Sequence, residues 1–170
     1  MLNAGEEHVW RKERLGPAVL RLVTGIVFIG AGLQKLFGIW GGTGISGTAA
    51  LFRAIHLVPA YPLAVFITGL ELVGGCLLAI GAFTAWVAVL FVIEMIVAIW
   101  KVHFVNGFFL NWTLRPGVGH GYEFNLILIG ALVSLLLTGP GVLSVDGWRM
   151  QHRSSRGETD DGSSVTDVIK

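Results

Sequence analysis

One cysteine, Cys76, is the whole thiol content of the chain, and it sits inside an apolar run. A lone thiol excludes an intrachain disulfide and a thiolate metal cluster. Charge is also sparse: 14% of residues are charged, and 12 basic against 11 acidic side chains leave a net charge of +1. That is too little for the surface of an ordinary soluble domain, and it offers no basic face for nucleic acid. None of the 5 histidines falls in the middle of an apolar run, so a bis-histidine haem inside a membrane is excluded. The N-terminal stretch mixes Glu6, Glu7 and Glu13 with its bases and has no small-residue cleavage site. The first apolar run is therefore expected to stay as an anchor.

What the chain has in abundance is hydrophobicity: 54% of its 170 residues, with a mean hydropathy of +0.72. Four apolar runs, roughly 17–37, 63–80, 82–102 and 123–138, read as membrane-spanning helices. Pro17 suits a first helical turn, where its missing N–H is not needed, and Gly81 separates the second and third runs as a tight hairpin. The fourth run is about 24 Å long at 1.5 Å per residue, short of a ~30 Å hydrocarbon core. It must draw Tyr122 and Glu123 toward lipid or thin the bilayer locally. The fold class expected is all-α, a four-transmembrane-helix bundle forming one domain over 1–148. Residues 149–170 are polar and aperiodic, and read as a disordered cytoplasmic tail.

The connection 38–62 is too long for a plain link between packed helices. Its second half is expected to form a short interfacial helix, capped by Ser46 or Thr48, ended by Pro59 and Pro62, with Leu51, Ile55 and Val58 on one face. Its first half contains a formal G-x-G-x-x-G from Gly42 to Gly47. Dinucleotide binding needs a preceding strand and a βαβ unit; after a membrane helix, a flexible glycine loop is the better reading. Arg11, Lys12, Arg14 and Arg21 precede the first run, and Arg149, Arg153 and Arg156 follow the last. The positive-inside rule then puts both termini in the cytoplasm of a multi-pass inner-membrane protein.

Glu71 and Glu94 each lie in the middle of an apolar run, where a carboxylate is costly enough to mark a functional site. Helical spacing puts Glu71 with Thr68, Gly74 and Gly75, and Lys35 with Gly25, Phe28 and Gly32. It likewise aligns Glu94 with Ala98 and Lys101, and Glu123 with Gly130 and Ser134. Small residues are where membrane helices approach, so all five charges are expected to face into the bundle. Glu71 and Glu94 both fall about 12 Å below the outer helix ends, a level at which two carboxylates do not both ionise easily. Lys35, Lys101 and Glu123 lie above them. The candidate site is thus Glu71, Glu94 and Glu123 handling protons, with Lys35 and Lys101 as charge partners. The rival reading pairs Lys35 with Glu71 or Glu123 only to fix helix register. His103 and His120 lie at the same boundary, where a histidine handles protons or is simply solvated. Trp100, Trp112, Tyr122 and, on the inner side, Trp86 read as interfacial anchors. No metal site is expected.

The chain resembles the DoxX family. The likeness rests on Gly32, Lys35, Leu36, Phe37 and Gly38, on G-L-E-L-x-G-G-x-L-L-x-x-G from Gly69 to Gly81, and on Glu94-Met95 followed by Ala98. It continues through Asn106-Gly107-Phe108-Phe109 and Gly121-Tyr122-Glu123 to Gly139-Pro140-Gly141 with Ser144 and Asp146. The long glycine-rich first connection departs from the family pattern. The resemblance implies a small bacterial or archaeal membrane protein, related to membrane subunits of a thiosulfate:quinone oxidoreductase or to redox and thiol stress. On that basis the expected function is a quinone-linked membrane subunit of a redox complex, with quinone and a peripheral redox enzyme as partners. The chain itself supplies no electron carrier and no covalently bound cofactor. Two other readings stay open: a transporter for a cation or amine, which with four spans would need a homo-oligomer, and a structural anchor for a peripheral enzyme.

Overall fold

The computed structural model describes residues 4–150, with side chains from residue 15 onward. The polar tail beyond residue 150, and the side chains of Arg11, Lys12 and Arg14, lie outside the described residues. No strand occurs among the described residues. Helix α1 runs from Ala4 to Phe37, with Leu15–Phe37 apolar enough to cross a membrane. Helix α2 is Gly44–Ala54. The second span runs continuously through α3 (Ala60–Gly69), a π-helical turn (Leu70–Gly74) and α4 (Gly75–Ile80). The third span is α5 (Thr84–Ala98), extended by a second π-helical turn (Ile99–His103) and a 3₁₀ turn to Asn106. A fourth, shorter apolar helix is α6, Glu123–Thr138, whose 16 residues fall short of a full hydrocarbon crossing.

Packing follows the small residues of the first two spans. Gly25 and Gly75 let α1 and α4 touch through backbone: a Cβ on Gly25 would stand 2.7 Å from the Gly75 carbonyl oxygen. Gly74 makes room for the ring of Phe91, which stacks on Phe28 with centroids 3.6 Å apart. Around that stack lies one core, with Leu78, Val87, Met95, Leu128 and Leu132. The outward faces are apolar as well, with Ile26, Phe66, Val73, Trp86, Ile93 and Leu137 all more than half exposed. Water would leave such faces uncovered; lipid covers them. The molecule is a helical membrane bundle.

Three expectations about the connections change. The helix after the first span starts at Gly44, so four of the six residues of the glycine motif form its first turn. Thr48 is not a cap but a buried side chain whose hydroxyl donates to the Gly44 carbonyl. Pro59 and Pro62 do not end that helix; they open the second span, Pro59 as its N-cap and Pro62 in its first turn, where an N–H is dispensable. In α6, the buried face carries Asn125, Leu128, Leu132 and Leu135, while Gly130 faces outward. That rotation turns Glu123 away from the bundle centre.

Both ends of the bundle are tied by polar contacts. At the Gly81 hairpin (φ 69°), Arg21 is buried and donates to the carbonyls of Ala79, at 2.6 Å, Val142 and Leu143. Helix ends leave carbonyls without partners, and one guanidinium satisfies several. Asp146 caps the next helix from far along the chain, accepting from the N–H groups of Phe83 and Thr84. At the other end, Asn111 holds the 107–123 loop through the Arg115 and Val118 carbonyls.

Candidate functional site

The second span exists in its observed form because Thr68, Glu71, Gly75 and Leu78 share one buried face. Glu71 sits in the π-helical turn, a wider turn often found at functional positions. Its carboxylate is 3% exposed, and its Oε1 accepts from Lys35 Nζ at 2.7 Å. Lys35 comes from the last turn of α1, at the top of the stripe Gly25–Phe28–Gly32. Of the two partners open to Lys35 in the sequence, the structure selects Glu71.

Glu94 reaches the same point from α5, and its carboxyl meets that of Glu71. Oε2 of each acid is buried and has no hydrogen-bond partner. Two ionised carboxylates only accept hydrogen bonds, so this contact repels; a single proton converts it into an O–H donating to a carboxylate. Lys35, Glu71 and Glu94 thus form a triad whose one ammonium offsets one negative charge. A proton, or a donor on a ligand, is what the second acid needs.

The triad lies in the wall of a cavity of about 570 Å³. Lys101, from the second π-helical turn, lines the same cavity, with its ammonium 4.3 Å from the centroid of the Trp100 ring. Most of the remaining wall is apolar, including Leu63, Phe66, Leu70, Ile93 and Val97, with Gln34, Thr43 and Thr48 as its other polar side chains. A mostly apolar pocket with a few convergent polar groups is the common form of a small-molecule site. Glu123 is not part of it. Its Oε1 accepts from Trp112 Nε1 at 3.2 Å, which fixes the 107–123 loop at the mouth of α6.

The expected inward cluster of five charges is therefore a cluster of four around one cavity, plus a loop contact. His120 belongs to the loop, and His103, at the end of the second π-helical turn, holds it: His103 Nδ1 bonds the His120 carbonyl, and His120 Nδ1 accepts from the Asn111 N–H. The sequence reading gave no internal role to Arg21 and Asn125, which are buried, or to the half-buried Gln34. Arg21 extends the stripe of Gly25, Phe28, Gly32 and Lys35 by one helical turn, a signal that was present. Gln34 lines the cavity and holds the Trp40 carbonyl. Asn125 donates to Met95 Sδ in the core, and its spacing to Leu128 and Leu132 would have revealed the true face of α6.

Fold and site together define a helical membrane protein with an acid pair at the edge of an apolar cavity. The DoxX family profile matches residues 16–104, and the chain belongs to the DoxX family. The matched region contains Lys35, Glu71, Glu94 and Lys101 and stops before Glu123. The chain is 34% identical over 132 residues to the Bacillus subtilis (strain 168) protein named "Putative oxidoreductase CatD", covering 78% of this chain and 85% of the relative. No solved structure matches the chain.

Proposed function

We propose that this protein is the membrane module of a quinone-linked redox system, in which Glu71 and Glu94 pass protons to the quinone ring. The carrying observation is the Lys35–Glu71–Glu94 triad at the wall of an apolar cavity. The relative's name as an oxidoreductase supports a redox role in general terms. A quinone that accepts two electrons must also gain two protons at its carbonyl oxygens, to become a hydroquinone. The electrons come from a sulfur donor on a partner protein, two thiols joining as a disulfide as they lose them. This chain's residues do the rest. Lys35 and Lys101 offer ammonium N–H groups to carbonyl oxygens, while Glu94 releases the proton it shares with Glu71 and takes a new one from the aqueous face nearest α2. The reading includes a multi-pass protein of the cytoplasmic membrane with both termini inside.

Extraction of lipid from the purified protein tests the reading directly. Quinone above the level in the surrounding membrane is the expected result, and its absence would count against quinone as substrate. Glu94→Gln keeps volume and hydrogen bonding but removes the titratable proton, so it is expected to fold normally. Quinone turnover should fall by at least about a hundredfold, the usual worth of a proton-transfer group. Full activity of the Gln variant would leave the acid pair as a packing element. Binding of an amine with no quinone would favour the transporter reading.

A further inference from the structure

The second and third spans do not pack along their full length. They meet at the Gly81 turn and stay in contact as far as Gly74 against Phe91. Beyond that level they form the two sides of the cavity, with Leu63, Phe66 and Leu70 on one and Leu90, Ile93 and Val97 on the other. These residues line the cavity, yet Phe66 is 60% exposed, Ile93 53% and Leu90 43%. A side chain that faces both a cavity and the surroundings forms its rim. The rim on α3 and α5 is therefore apolar and lies at the level of the hydrocarbon. Toward the helix ends, the cavity is roofed by α2, through Thr48, Leu51 and Phe52, and by Gly42 of the preceding turn.

We propose that the cavity is filled from the bilayer, through the gap between the second and third spans, and that its substrate is a quinone bearing a long apolar tail. This rests on the quinone reading above. A volume of about 570 Å³ holds a ring and the start of a chain but not a long tail, so the tail must leave the cavity. Between Phe66 and Ile93 it leaves into lipid at no cost of exposed hydrocarbon. A small polar substrate would find no hydrogen-bonding path there. With the ring seated against Lys35, Glu71 and Glu94, the tail points outward through the apolar side, so the gap both admits the molecule and orients its head.

Equilibrium binding to the full chain in lipid nanodiscs, corrected with empty discs, tests this with two probes: a decyl-tailed benzoquinone and the same ring without a tail. Ile93→Trp and Phe66→Trp narrow the gap from opposite sides, and Thr43→Trp obstructs the exposed turn beside the roof; unchanged thermal melting establishes that each variant is folded. The expected result is that the gap variants weaken the tailed probe by about tenfold, the loss of roughly two buried methylenes, while the tailless ring changes by less than about twofold. Equal loss for both probes, or loss only in Thr43→Trp, overturns the lateral route while leaving the quinone reading in place. Failure of both probes to bind the unaltered chain overturns both readings.

Discussion

Lys35 is the residue on which the structural and functional readings of the site part. Its ammonium sits 2.7 Å from Glu71, with 28% of the side chain exposed against 3% for its partner. Removing it with Lys35→Met leaves two acids and no cation at one buried point. Breaking such a pair costs about 3 kcal/mol, less where the acid takes up a proton. A lower melting temperature in detergent is expected for Lys35→Met, with recovery in Lys35→Met/Glu71→Gln, because the second change removes the uncompensated charge. Recovery with Glu123→Gln is not expected, since Glu123 is engaged with Trp112. If Lys35→Met alone melts with the unaltered protein, the ion pair contributes nothing to stability. The acid pair would then have to be neutral without it.

At the scale of elements, the close approach of α1 to the second span is set by glycine. Any side chain at Gly25 meets the backbone of Gly75 and Ala79, neither of which can rotate out of the way. Gly25→Leu is expected to separate the helices and destabilise the protein by at least about 2 kcal/mol, as overpacking of a tight interface does. The same change at Gly30, around which nothing lies within 4 Å, should be near neutral; equal melting of the two variants would contradict the packing. This stripe was legible in the sequence because glycines at helical spacing have one physical use in a membrane helix. The Glu71 face was legible for the same reason, with Thr68, Gly74 and Gly75 beside it. The rotation of α6 was not: apolar residues occur all round Glu123–Thr138, so Glu123, Gly130 and Ser134 at helical spacing marked the wrong face. The Arg21 and Asp146 ties were also hidden, since each joins residues more than fifty positions apart. Nothing local in the chain announces such contacts. Arg21, counted as an inner-side charge, is spent on carbonyls inside the fold instead.

Orientation is a property of the whole molecule, and the internal use of Arg21 bears on it. With that residue consumed, the inward bias rests on Arg11, Lys12 and Arg14 at one terminus and on Arg149, Arg153 and Arg156 at the other. The fold brings the start of the first span and the region after α6 to one end of the bundle. Arg21 bonds Val142 and Leu143, and Arg149 lies 5.4 Å from the Phe83 ring beside the Gly81 hairpin. The α2 helix and the cavity occupy the other end. A thiol probe therefore reads both ends in a single experiment, in a Cys76→Ala background because the native cysteine is exposed on the second span. Ser46→Cys, exposed at the start of α2, is expected to react with a membrane-impermeant maleimide in intact cells. Arg149→Cys is expected to react only after permeabilisation. The opposite pattern would place the acid pair in the cytoplasmic half, so its protons would be drawn from the cytoplasm. Labelling of both sites from one side would contradict the bundle itself, because the two positions stand at opposite ends of helices long enough to cross the bilayer.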